Sequence, residues 1–72
     1  MDTQKTTING HIVSYDSTTS QGIYFLTRQI PMEEAKVFFD EAYNKGSAIF
    51  SDHMGYKYKL VHHGAEYQLV KP

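Results

Sequence analysis

One stretch of this chain, bounded by Pro31 and Gly46, carries a helical repeat, and the segments on either side of it are patterned for strands. At about 100° per residue, Met32, Ala35, Phe39, Ala42 and Tyr43 fall on one stripe, with Phe38 at its edge and Val37 almost opposite. Pro31 suits the first helical position, where its missing N–H costs nothing. Glu33 and Glu34 occupy the first turn, which the helix dipole favours, and Gly46 is placed to take a left-handed cap. Lys36 with Asp40, and Glu41 with Lys45, are spaced to pair on the wet side, for about 0.2–0.5 kcal/mol each. A lone helix shelters one face of a sheet and no more. The pattern therefore predicts an α+β fold: a small antiparallel sheet of four to five strands with one helix packed on one face, in the order β-β-α-β-β-β.

The strand segments follow from alternation and punctuation. Thr6 to Tyr15 is rich in β-branched residues and reads as extended. Asn9-Gly10 within it is either a two-residue I′ hairpin turn or a bulge in one longer strand. Asp16 to Gly22 reads as a polar loop. Ile23 to Gln29 reads as a second strand, continuously apolar at its start. Ser47 to Asp52 is a third strand, closed by a turn at His53-Met54-Gly55. Tyr56 to His62 alternates, with Tyr56, Tyr58 and Leu60 on one face and Lys57, Lys59 and Val61 on the other. After a turn at His63-Gly64-Ala65, Glu66 to Lys71 forms the last strand with Tyr67 and Leu69 inward. Met1 to Lys5 is expected to be a frayed polar start to a single domain spanning 1–72.

Composition narrows the function classes. A chain of 72 residues buries only about 60% of its unfolded surface, which supports one thin core rather than a cleft between lobes. Cysteine is absent, so disulfides, thiolate metal sites and thiol nucleophiles are excluded. A secreted domain of this size ordinarily needs such staples, so a cytoplasmic setting is expected. No apolar run is long enough to span a membrane, and no secretory h-region follows the N-terminus. A formal net charge of −1 argues against a dedicated DNA-coating protein. The glycine-rich phosphate loops and the nucleophile elbow are missing, so no cofactor and no enzymatic activity are expected.

His11, His53, His62 and His63 are the remaining soft ligands. Neighbours such as His62 and His63 point to opposite faces of a strand. His53 and His62 are roughly 30 Å apart in an extended chain. The histidines therefore read as solvated turn residues and no metal is expected. Asp52 beside His53 reads as a turn-starting aspartate, since side chains of adjacent residues diverge.

Two interaction surfaces remain. The helix segment 31–45 holds four acids and two lysines, a formal −2, and segment 53–72 holds three lysines and one glutamate, a formal +2. The acidic residues Glu33, Glu34, Asp40 and Glu41, with Val37, and the aliphatics Val61 and Val70 beside the strand lysines, form the candidate partner-binding set. The leading expectation is a non-enzymatic, protein-binding regulator or inhibitor that acts by steric occlusion of a larger partner, as a bacterial or phage accessory protein such as an anti-defence protein would. The alternative is weak nucleic-acid binding through Tyr56, Lys57, Lys59 and Lys71. A homodimer through an exposed strand edge is compatible with both.

Overall fold

In the computed structural model, which describes residues 3–72, Asn9 and Gly10 both take positive φ, 53° and 82°. This is the geometry of an I′ turn, and it joins β1 (Gln4–Ile8) to β2 (His11–Tyr15) as an antiparallel hairpin. Of the two readings of Asn9-Gly10, the hairpin is the one formed. Gln4 and Lys5, expected in a frayed start, belong to β1 and pair with Tyr15 and Ser14. Met1 and Asp2 lie outside the described residues.

The segment read as a second strand is helical. α1 spans Ser20–Tyr24 and runs directly into a π-helical turn, Phe25–Gln29. The second half of the expected Asp16–Gly22 loop is thus the start of α1. Gly22, Phe25 and Leu26 are buried, the i, i+3, i+4 spacing of a helix seated on a surface. A short apolar run satisfies a covered strand and a covered helix equally well, so local pattern could not separate them. Ile30 leaves this segment extended (φ −130°, ψ 155°), as the residue before a proline tends to do.

α2 spans Met32–Lys45. Pro31 precedes it in an extended conformation as its N-cap, one position before that expected. Gly46 closes it in the left-handed region at φ 93°, its N–H donating to the Ala42 carbonyl over 2.8 Å. β3 (Ser47–Ser51), β4 (Lys57–His63) and β5 (Glu66–Val70) then return as an antiparallel meander.

The five strands lie in the order β1-β2-β5-β4-β3. The expected all-antiparallel sheet is mixed, because β5 lies parallel to β2. The helical layer carries the chain from β2 to the far edge at β3. Two hairpin reversals then bring β5 back beside β2 in the same direction, and a third would have been needed to make that contact antiparallel.

Both helical segments pack on one face, and the core lies between them and the sheet. Phe39 meets Tyr67 edge-on at 5.0 Å and stacks on His11 at 4.8 Å. Phe50 is stacked by Phe38 at 4.9 Å and by Phe25 at 5.7 Å. Tyr58, Leu60, Tyr67 and Leu69 are buried on the sheet side, in the inward register expected. Ala35, Phe39 and Ala42 form the buried line of α2, while Met32 and Tyr43, expected in the same stripe, are 69% and 65% exposed. They lie about 55° and 75° from the centre of the buried line, at 100° per residue. Phe38, at the opposite margin, is covered by Phe50 instead.

Candidate functional site

The domain presents two exposed faces, and the candidate partner-binding residues divide between them. Glu33, Glu34, Val37, Asp40 and Glu41 are all exposed on the solvent side of α2. Val37 is 59% exposed, as its position opposite the buried line requires. Asp40 pairs with Lys36 at 3.4 Å, while the Glu41–Lys45 pair expected beside it is not formed. Glu33, Glu34 and Glu41 therefore stand around Val37 without an ionic partner among the described residues. This makes a short acidic ridge with an apolar point near its middle.

Val61 and Val70 lie on the other side of the molecule, half-buried in the sheet face that no helix covers. The register sets Ile49 beside Lys59 and Lys59 beside Val70, with Ser47, Val61 and Gln68 in the next row. Ile49 and Ile12 are exposed on this face, 58% and 41%. Lys57 shares it, as strand alternation predicts. Lys5 and Glu66 neutralise one another across it at 3.2 Å. Ile49, Val61 and Val70 thus surround Lys59, and neither Lys57 nor Lys59 has an ionic partner among the described residues. Ile12 and Ile49 were not singled out from the sequence. The same alternation that placed Val61 outward would have found them once the strand partners were known.

The nucleic-acid candidates do not converge. Lys71 continues the inward parity of β5 and sets its ammonium 5.6 Å from the ring centroids of both Tyr56 and Tyr58. Lys57 and Lys59 point to the opposite face. Tyr56 and Lys71 line a shallow depression of about 330 Å³ with Thr18, Gln21, Met54 and Tyr58. The sequence reading missed this feature, because Thr18 and Gln21 fall in the expected Asp16–Gly22 loop and reach it through the turn and first residues of α1 that form there instead.

The ionisable groups have mainly structural surroundings. Asp52 accepts from the backbone N–H groups of Met54 and Tyr56 through Oδ1, and from the Tyr58 hydroxyl through Oδ2 at 3.1 Å. This is the turn-building role expected of it, and His53 instead turns its ring edge-on to Phe25. Burial pushes the Tyr58 phenol up, and the hydrogen bond to Asp52 and its negative charge add to the effect. Burial likewise raises Tyr67, with smaller contributions from the charges of Asp40 and Tyr43. Two histidines are not the solvated turn residues expected. His11 and His62 are half-buried and flank Tyr67 at 5.1 Å each, and His62 also leans on Tyr43 at 5.0 Å. Their strand parity points inward, which the turn reading overlooked.

Among the described residues no group of three or more His, Asp or Glu side chains is placed to hold a metal ion. No helix among them is long and apolar enough to cross a membrane. No protein-family model, curated protein or solved structure matches the chain.

Proposed function

We propose that this chain is a non-enzymatic, protein-binding regulator of the cytoplasm that acts by covering a functional surface of a larger partner. The observation that carries this reading is the α2 ridge: Glu33, Glu34 and Glu41 stand exposed around an exposed Val37, with no ionic partner among the described residues. Three carboxylates on one rigid helix attract a basic patch at long range and raise the rate of encounter. Val37 then supplies a small apolar contact once water is displaced. A basic groove that ordinarily receives phosphates fits this field, and occupying it blocks its normal ligand. The test is affinity capture with wild-type chain and with Glu33→Lys/Glu34→Lys/Glu41→Lys, from cells that naturally contain the protein. The triple variant, shown folded by circular dichroism, should lose a basic protein that the wild type retains. Identical captured sets would remove the proposal.

Weak nucleic-acid binding is the second reading, and the exposed ring of Tyr56 beside the Lys71 ammonium favours it. It requires affinity for DNA or RNA that falls steeply with salt. If Lys57→Glu/Lys59→Glu and Lys71→Glu all leave that affinity unchanged, this reading is dismissed.

A further inference from the structure

We infer that the acidic ridge of α2 in one copy docks on the uncovered sheet face of a second copy, head to tail. The two surfaces are opposite in charge and lie on opposite sides of the same molecule. One bears Glu33, Glu34 and Glu41 without ionic partners, and the other bears Lys57 and Lys59 without them, among the described residues. Each also carries exposed aliphatic surface, Val37 on the helix and Ile49, with Val61 and Val70, on the sheet. Dimensions agree as well. A helix of 14 residues is about 21 Å long. Strand β4, of seven residues, is about 23 Å long, so the helix matches it when laid along the strand. Glu33 and Glu41 sit one helical turn before and after Val37, about 6 Å to either side. Lys57 and Lys59 are two residues apart on one strand face, about 7 Å. A valine seated among Ile49, Val61 and Val70 can therefore have carboxylates within reach of both lysines. Such docking gives the sheet the helical cover on its second face that the chain itself does not provide.

The covered footprint is roughly 21 Å by 10 Å, about 200 Å² in projection, against about 800 Å² per partner in a standard interface. The association is accordingly weak, reversible and sensitive to salt. The contact uses a different patch on each copy, so it propagates into a ring or a short filament rather than closing as a two-fold dimer. It does not depend on the existence of another partner, because the test uses the purified chain alone.

Sedimentation and light scattering at low salt should show mass rising with concentration up to about 1 mM and falling back when salt is added. Lys57→Glu/Lys59→Glu should be monomeric, and so should Glu33→Lys/Glu41→Lys. Mixed in equal amounts, the two variants should associate, since each ridge then meets a sheet face of opposite sign. Global attraction between oppositely charged chains is separated from docking by an uncharged change. Val61→Thr placed in both reversed variants should weaken the mixed association about fivefold or more, by setting a hydroxyl against Val37. A wild-type chain that stays monomeric throughout, reversed variants that fail to associate on mixing, or a mixture indifferent to Val61→Thr each overturns the inference.

Discussion

Replacing Gly22 by alanine sets two known effects against each other, and the structure decides the sign. In an exposed helix this change gains about 0.8–1.0 kcal/mol, because glycine loses more backbone freedom on folding. Here the added Cβ would stand 2.8 Å from Leu69 Cδ2 and 3.0 Å from both Cγ and Cδ1 of Tyr58. Comfortable carbon contacts are about 3.5–4.0 Å, so the methyl intrudes by roughly 0.5–1 Å on three atoms. Leu69 and Tyr58 are 2% and 1% exposed, so neither can swing out into solvent without giving up its packing. Tyr58 is also tied at its far end by the 3.1 Å hydrogen bond to Asp52. Overpacking a filled core costs about 1–3 kcal/mol, and contact with the root of an anchored ring belongs in the upper half of that range. The net loss is about 1–2 kcal/mol, which lowers Tm by about 5–15 °C in a domain of this size. Thermal unfolding followed by circular dichroism reads the difference. Gln21→Ala, at an exposed position of the same helix, should move Tm by less than about 2 °C. A Gly22→Ala protein as stable as the wild type would refute direct seating of α1 on Tyr58 and Leu69.

Two further perturbations probe the core. Phe39→Ala removes a fully buried ring and should cost about 3–5 kcal/mol in denaturant unfolding, enough to threaten so small a domain. Val37→Ala, on the solvent side of the same helix, should cost less than about 0.5 kcal/mol. Equal losses would mean that the facing of α2 is wrong. Tyr58 and Tyr67 are both raised above the ordinary tyrosine value, so the unfolded chain releases these protons first as pH climbs. Their stabilisation is therefore complete below about pH 10 and is lost progressively above it. Tyr67→Phe should make the alkaline fall in Tm shallower, and an unchanged alkaline limb would exclude Tyr67 as a contributor.

The candidate surfaces were legible wherever a single element carries them. The acidic ridge needs only the phase of one helix, and Glu33, Val37 and Glu41 recur at the four-residue spacing that puts them on one line. The inward facing of Tyr58 and Leu60 in β4 needs only alternation, whereas Tyr56, expected on the same face, lies before the strand and is exposed. What could not be read was which outward residues of separate strands become neighbours. Ile49, Lys59 and Val70 form one row of the open face through two pairings that depend on the whole meander. The depression at Tyr56 and Lys71 escaped for the same reason, since its other wall comes from α1. Strand parity turns His11 and His62 inward, but their cover depends on α2 arriving above Tyr67.

Local rules sufficed for α2 between Pro31 and Gly46 and for the facing of β4 and β5, each of which has a steric or periodic signature that neighbouring residues alone enforce. Asn9-Gly10 stayed open between a hairpin turn and a bulge until the pairing of β1 with β2 decided it. The tertiary structure decided the helical state of Ile23 to Gln29, the parallel contact of β2 with β5, and which margin of the α2 stripe was sealed. The apolar run from Ile23 to Leu26 has nearly equal prospects as strand or helix in isolation. Packing of Phe25 on Phe50, and of the preceding Gly22 against Tyr58 and Leu69, all distant in sequence, supplies the burial that breaks the tie.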